Sequence, residues 1–457
     1  MTDRRVAVVG AGITGAAAAH RLIGLTDGPV EHVVLFDGAT TVGGRIDGGP
    51  FAGLAYVDAG ADAFLARVPD ALELAHEVGL GERLVHPERV GAAVWYDGLH
   101  DIPEGLVLGV PGDPRALART GLLSWRGKAR AALEPVLPRS STDHDSIGRY
   151  VRSRFGDEVH ERLVDALVGS IYATDTDDFS LAELPQLAAL TDGRSLLVAA
   201  RRVARAAAGT GSAAASPIFA APRDGMQQLV AATVDEFRRH GGELRLGTDV
   251  TIGRSGSRWR VGDDDFDSVI CAVPADRAVA LLDDFTPSGR SADRADVVMV
   301  TMHVSASEFP DRLQGRSGYL VPKPVQRDVT AVSFGSQKWA HWSPPGGGEI
   351  LRVSLGRDGA PVLHLDDDEI VTRTLDDLAL QLGVTFSPLE VRVTRWPGAF
   401  AQYRPHHRRW VDEVRARLAD GIFVAGSSYD GIGIPACVRS GRTMADRSAT
   451  FVAGLAS

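Results

Sequence analysis

Cysteine is nearly missing from this chain: Cys271 and Cys437 are the two thiols in 457 residues. Two thiols cannot build the disulfide framework of small extracellular domains, and they fit a reducing cytoplasm. Both have apolar neighbours, where a free thiol behaves as a small buried hydrophobe. An apolar run of membrane-spanning length is also missing, so no transmembrane helix is expected, while peripheral membrane contact stays open. The start, MTDRRVAVVGAGITG, passes directly from its apolar run into a glycine loop and does not read as a secretory signal. Neither HExxH nor CxxC occurs. His406 and His407 are neighbours, a spacing that seldom shares a metal, so no metal site is expected. No catalytic triad stands out. Positive charge is short as well: the formal net charge is −10, which disfavours nucleic acid as a partner.

What is present is ordinary in bulk and specific in detail. Apolar residues make up 44% and charged residues 24%, enough for a large soluble core. The length suggests two or three domains. Arg5–Val9 reads as a strand, GAGITG as a tight turn, AAAAHRLIGL as a helix and HVVLFD as a second strand. This β-α-β unit carries Gly10, Gly12 and Gly15 where a dinucleotide fold needs them. The first makes the turn, the second admits a diphosphate, and the third lets helix pack on strand. The helix start offers N–H groups to phosphate. Asp37 ends the second strand, twenty-two residues after Gly15, and suits a ribose hydroxyl. A second glycine loop, VGGR (Val42–Arg45), sets an arginine within reach of the diphosphate, as in flavoproteins with two dinucleotide-binding domains.

Residues 66–170 read as mainly helical, interrupted by an extended pair with Asp97-Gly98 as a hairpin turn. The small, polar stretch from Ala206 to Pro217 reads as a flexible linker. Further on, ELRLGTDV, SVICAVP, VVMVTMHV, RDVTAVSFG and EILRVSLGR read as strands. DDEIVTRTLDDLALQLG and the segment around Asp412–Leu418 read as helices. Near the C-terminus, YDGIGIPACVRSGR puts glycines before a proline that suits the first turn of a helix. No internal repeat is visible.

The chain resembles the protoporphyrinogen/coproporphyrinogen oxidase family, within the amine-oxidase-like flavoproteins, over nearly its whole length. The segments that carry the resemblance include VAVVGAGITGAAAAHRL, LHDIPEGLVLGVP, RFGDEVHERLVDALVGSIYATDTDDFSL, SFGSQKW, RWPGAFAQY and AGSSYDGIGIPACVRSGR. The first and last recur in many flavin oxidases; the middle ones together resemble the porphyrinogen oxidases, and their bacterial style resembles the coproporphyrinogen III branch. Departures are Asp37 for a usual Glu, Thr174 in YATD, Ala401 in AQY and Ala340 in KWA.

The resemblance implies an α/β fold, α+β overall. It has a Rossmann-like FAD-binding domain (1–66, 218–288, 392–457), a mixed-sheet substrate domain (67–85, 171–217, 289–391) and a helical subdomain (86–170) that would be the membrane-facing part. It implies non-covalent FAD held by Gly10, Ala11, Gly12, Ile13, Thr14 and Gly15 at the diphosphate, and by Asp37 with Gly38 at the ribose. Gly44, Arg45, Gly60, Ala61, Asp62 and Ala63 would lie along the flavin. Val250 would offer its backbone to the adenine, and Ala272 to Pro274 would close over the cofactor. Trp396 would stand near the ring, and Gly426, Ile432, Gly433 and Ile434 beneath it. Gly431 and Gly433 would let the backbone pass without a clash. Tyr172, Gln402, Tyr403 and Arg404 are the expected substrate contacts. Arg395, Arg404, Arg408 and Arg409 would form a cationic rim for the four propionates of the substrate. Lys323 or Lys338 could hold a water at the flavin.

No catalytic side chain is assigned: the flavin N5 would take a hydride from a bridge carbon in each of three two-electron steps, with O2 as acceptor and H2O2 as product. A transient haem-pathway partner and a cytoplasmic setting would follow. Coproporphyrinogen and protoporphyrinogen both stay open as substrates. An amine oxidase, a carotenoid-type desaturase and a non-enzymatic escort protein for prenylated GTPases are the alternatives on this fold.

Overall fold

The computed structural model describes residues 4–25, 28–209, 217–282 and 293–455. Arg5–Val9 is the central strand of a five-stranded parallel sheet. Its neighbours are His32–Phe36 on one side and Ser268–Cys271 on the other, with Glu243–Arg245 and Ile422–Val424 at the edges. The central strands are runs of Val, Ile and Leu because both faces of the sheet are covered. On one face, Val6, Val8, Leu35 and Ile270 pack under the helices Ile13–Ile23, Gln227–Arg239 and Ile434–Gly454. On the other, Ala7, Val9, Phe36 and Cys271 meet Trp259, Phe266 and Trp410. The first and last helices of the chain therefore share one core.

The second layer is a seven-stranded mixed sheet ordered Glu390–Ala401, Arg294–Val304, Glu349–Leu355, Val329–Phe334, Arg316–Leu320, Gly91–Trp95 and Leu99–Asp101. Helix Asp367–Leu382 covers it, started by the Asp366 carboxylate, which accepts from the Glu369 amide at 2.8 Å, and ended by Gly383 at φ 64°. A third, mostly helical core gathers Ile147, Val151, Phe155, Leu163, Val164 and Phe179. It contains a ten-residue π-helix, His160–Gly169. Among the described residues no helix is long and apolar enough to cross a membrane.

Several expectations shift in detail. Asp97 and Gly98 both have positive φ and turn the Gly91–Trp95/Leu99–Asp101 hairpin, which completes the mixed sheet while Val94 packs into the helical core. Helix Pro69–Glu77 was expected with the mixed sheet. Its buried face, Ala71, Leu74 and Ala75, instead joins the core under the parallel sheet. The strand expected through Val250 stops at Arg245. The chain then turns so that Gly247 and Thr248 donate to the carbonyls of Ala39 and Asp37. Ala206–Gly209, expected in the linker, continue the helix Leu196–Gly209; residues 210–216 lie outside the described residues.

A buried ion pair anchors the helical unit. Arg154 is 1% exposed and donates to Glu134, itself fully buried, at 2.6 and 2.8 Å. The same carboxylate accepts from the Ser195 hydroxyl at 2.5 Å and the Leu196 amide at 2.9 Å, which starts the following helix. Replacing Glu134 by Ala leaves a buried guanidinium without its counter-charge and strips the acceptor from the Ser195 hydroxyl and the Leu196 and Leu197 amides. We expect Glu134→Ala to lose roughly 3 to 5 kcal/mol of stability. Breaking the more exposed Arg152–Asp157 pair should cost about 1 kcal/mol or less. Denaturant titration of both variants checks the contrast.

Candidate active site

A cavity of about 480 Å³ opens where the carboxyl ends of the parallel strands face the mixed sheet. Three walls bound it, and each is set by local sequence.

The first wall is the glycine turn after Arg5–Val9. Gly10 has φ +108°, and a Cβ there would stand 2.9 Å from the Ala272 carbonyl oxygen. At Gly15 a Cβ would fall 1.8 Å from the Gly10 carbonyl oxygen, so only glycine lets the helix sit this close to the turn. The second glycine loop lies alongside: Gly43 donates to the Ala11 carbonyl at 3.0 Å, and Gly12 and Gly43 form a parallel bridge. Asp37 locks the turn, since one carboxylate oxygen accepts from the Ala11 amide at 2.6 Å and the other from the Ala39 amide at 2.8 Å. Each oxygen keeps a second lone pair for a ligand hydroxyl.

This wall fits a dinucleotide diphosphate. Helix Ile13–Ile23 begins at Gly12 without a side-chain cap, so its first-turn N–H groups are open toward the cavity. Arg45 lines the cavity, half-buried, and pairs with no carboxylate among the described residues. Burial is the main cause that lowers its pKa, followed by the nearby Arg294, so an anion beside it is favoured.

The second wall is apolar and comes from the first two strands of the mixed sheet. Val297 and Met299 face Trp396, Ala399 and Phe400 of the neighbouring strand. A regular strand would send 396, 398 and 400 to one face. The register slips between Ala295 and Val297, with Gly398 at φ +55° donating to Asp296 at 2.6 Å, and this bulge brings Ala399 round as well. The Trp396 indole donates to the Ala59 carbonyl at 3.2 Å and lies against Gly60, where a Cβ would be 3.3 Å from the ring. Gly60 and Ala61 line the cavity beside it.

The third wall is the loop after Ile422–Val424. Gly426 and Gly431 have φ +108° and +119°, a requirement for glycine. Gly433 differs from the expectation: its φ is −69°, and a Cβ there would meet only Pro435, at 3.8 Å. The fold itself therefore does not demand glycine at 433. The loop is clamped by Ser440, whose hydroxyl accepts from the Gly426 amide at 2.8 Å and donates to Asp430 at 2.5 Å. Arg415 holds Asp430 at 2.7 Å. Ile432, Ile434 and Cys437 face the cavity. Burial pushes the Cys437 thiol up to about 11 and the fully buried Cys271 thiol up to about 12.

Some expected site residues stand elsewhere. Ala11, Gly15, Gly38, Ala63, Val250 and Gly433 do not line the cavity; the Val250 side chain belongs to the core with Trp259. Asp62 is not a cavity residue. It accepts from Lys338 at 2.8 Å and from the Trp339 indole at 3.2 Å, and pairs with Arg352 at 3.3 Å; despite a desolvation penalty, these cations hold its pKa down. Lys338 is thereby committed, and Lys323 pairs with Asp175, so neither lysine reaches the cavity.

The expected substrate set is also displaced. Gln402 is fully buried and donates to main-chain carbonyls of Tyr172 and Phe400. Tyr403, 1% exposed, stacks on His407 with centroids 4.3 Å apart and donates to the Ser427 carbonyl at 2.5 Å. Tyr172 packs on Phe179 at 5.1 Å. Arg404 is enclosed by Asp358 at 2.6 Å, Asp178 at 3.1 Å and Asp293 at 3.3 Å. Arg395 pairs with Asp367 and Arg408 with Glu183, and none of the four arginines of that run lines the cavity. Sequence reasoning missed Val297, Met299, Phe400 and Arg277. Alternation in the strand marks Val297 and Met299 as a pair on one face but does not say what that face meets; nothing local marks Arg277.

Comparison with known proteins gives the family and the fold. The model of the family described as flavin containing amine oxidoreductase matches residues 13–448. The coproporphyrinogen III oxidase of Mycobacterium leprae is 34% identical over 455 residues, covering 96% of each chain. That of Bacillus subtilis is 30% identical over 468 residues, covering 98% of each. A solved structure from Exiguobacterium sp. 255-15, named as a candidate protoporphyrinogen oxidase, superposes with TM-score 0.86 at 28% identity, over 98% of this chain and 99% of that one. Cyclohexylamine oxidase from Brevibacterium oxydans shares the fold, with TM-score 0.64 at 18% identity, over 98% and 99%. The chain belongs to the flavin containing amine oxidoreductase family, and within it to the protoporphyrinogen/coproporphyrinogen oxidases, with FAD as its cofactor.

Proposed function

We propose that this chain oxidises coproporphyrinogen III to coproporphyrin III in haem biosynthesis, with dioxygen as acceptor and hydrogen peroxide as product. The observation that carries the reading is the chemistry of the cavity lining. Among the described residues, the titratable ones that line the cavity are Asp37, Arg45, Arg277 and Cys437. Asp37 is engaged by main-chain amides, the guanidinium groups offer donors and no acceptor, and the Cys437 thiol is protonated at neutral pH. No side chain among them suits a general base beside the apolar wall. The reaction must then need none, which fits a substrate whose own pyrrole N–H groups release the protons. FAD, when bound, supplies the hydride acceptor.

In this reading the chain's residues position and exclude. The first-turn amides of Ile13–Ile23 and the Arg45 guanidinium hold the diphosphate. Asp37 accepts from a ribose hydroxyl. Gly60, Ala61 and Trp396 would hold the flavin, together with Gly426, Ile432, Gly433 and Ile434. Helix Ile434–Gly454 turns its uncapped start toward the cavity, where developing negative charge is stabilised. Val297, Met299, Trp396 and Phe400 offer a flat apolar face to a macrocycle and keep water from the reacting carbon. The division into a cofactor domain built from both chain ends, a mixed-sheet domain and a helical unit belongs to the same reading. So does a cytoplasmic setting with peripheral membrane contact and a transient haem-pathway partner.

The test is anaerobic flavin reduction and aerobic peroxide release with coproporphyrinogen III, protoporphyrinogen IX and a panel of amines. Faster turnover of coproporphyrinogen is expected; peroxide from amines alone would overturn the reading. Two variants probe the cofactor wall. Arg45→Met loses a charge-assisted contact worth about 1.5–3 kcal/mol, so the FAD Kd should rise roughly ten- to a hundredfold. Gly433→Val should fold normally and retain little flavin; full flavin content would show that no ring passes there. Iodoacetamide should leave Cys437 unlabelled in the apoprotein below about pH 9, as burial keeps it a thiol; mass spectrometry of the alkylated peptide reads this.

A further inference from the structure

We propose that Arg277 binds a carboxylate of the substrate at the mouth of the cavity and so sets the preference for polycarboxylate porphyrinogens. This inference rests on the porphyrinogen reading above and adds the residue that recognises the acidic arms. A substrate with several carboxylates needs cations, and among the described residues the cavity lining holds two, Arg45 and Arg277. The arginine-rich run 395–409 cannot serve, since Arg404 is enclosed by three aspartates, Arg395 and Arg408 are paired, and none of the run lines the cavity. Arg45 belongs to the glycine loop stitched to Gly12, on the diphosphate side.

Arg277 has a different address. It is exposed, and it makes no side-chain ion pair or hydrogen bond among the described residues. It sits on the short helix Ala275–Leu281, which is pinned at two points on the substrate side. The Ala275 amide donates to the Ser428 hydroxyl at 3.0 Å, next to the loop of the third wall. Asp276 pairs with Arg294, whose guanidinium lies over Gly398, so close that a Cβ there would be 2.5 Å from its central carbon. Gly398 is the bulge residue between Trp396 and the wall residues Ala399 and Phe400. The backbone around Arg277 is therefore fixed where the apolar wall meets the loop. Asp276 is spent on Arg294, and the Arg277 charge is left over. A macrocycle lying on Val297, Met299 and Phe400 would carry its acidic arms outward past that corner, where a guanidinium can take a carboxylate in two parallel hydrogen bonds.

Arg277→Gln and Arg277→Lys are compared with wild type and with Arg408→Gln, a surface control outside the cavity. Binding is read by fluorescence titration of the holoenzyme with coproporphyrin III, FAD affinity by titration of the apoprotein, and turnover with coproporphyrinogen III and protoporphyrinogen IX. Arg277→Gln should raise the coproporphyrin Kd and the coproporphyrinogen KM roughly five- to tenfold, with kcat held and the FAD Kd within about twofold. The KM for protoporphyrinogen, which has two fewer carboxylates, should move less, and Lys should restore part of the loss. An unchanged coproporphyrin Kd with normal flavin overturns the proposal. A weakened FAD Kd with porphyrin binding unmoved overturns it too, assigning Arg277 to the cofactor. Wild-type protein that oxidises no porphyrinogen sinks the functional reading itself, a result seen before any variant is made.

Discussion

Gly441 of the last helix lies against the first helix with no room for a methyl group: a Cβ there would fall 2.2 Å from the Thr14 carbonyl oxygen and 3.2 Å from the Ala18 nitrogen. The first helix answers with alanine at 16 to 19, all fully buried. Two helices separated by about four hundred residues of chain thus touch backbone to backbone. Everything at the cavity depends on this contact. It sets the start of the first helix, which faces the diphosphate wall, beside the start of the last, which faces the opposite side. It also carries Ser440, the neighbour of Gly441, to the Gly426 amide, and so fixes the loop that forms the third wall.

The same economy of side chains recurs around the cavity. Gly10, Gly15 and Gly43 give way to backbone, while the Ala11 amide donates to Asp37 and the Ala11 carbonyl accepts from the Gly43 amide, which keeps the two glycine loops in register. A wall built from main chain presents amides and few acids or bases. The facing wall is a bulged strand pair with apolar side chains. Between them the chain can hold a dinucleotide and a flat partner, and it brings little chemistry of its own. That division suits a reaction in which cofactor and substrate supply the reactive atoms and the protein supplies geometry and field.

The glycine motifs were legible because their reason is local: a tight turn, a strand before and a helix after, all within forty residues. The charged residues were not. RWPGAFAQYRPHHRRW looks like a cationic rim when read alone. Its Arg404 is neutralised by Asp178, Asp293 and Asp358, which come from three other parts of the chain. Asp62 looked like a flavin neighbour because it follows Gly60 and Ala61. Its partners Lys338 and Arg352 draw it to the other side of that segment. Tyr403 and Gln402 stand next to strand residues that do line the cavity, yet alternation and the end of the strand turn them into the helical core. In each case a charge or ring was read correctly as a type, and its partner lay too far along the chain to be seen.

The sequence by itself determined the α/β character, the dinucleotide turn, the acidic end of the second strand, the second glycine loop and the flavoprotein family. These rest on spacing within single elements, where the geometry of turn, helix and strand leaves few choices. Only the tertiary structure decided which face of the Arg294–Val304 strand meets the cofactor side, which arginines are spent on carboxylates, and that Arg45 and Arg277 of the cavity lining pair with none among the described residues. Burial and ion pairing are properties of neighbours in space, and a linear chain does not carry its neighbours with it until it folds.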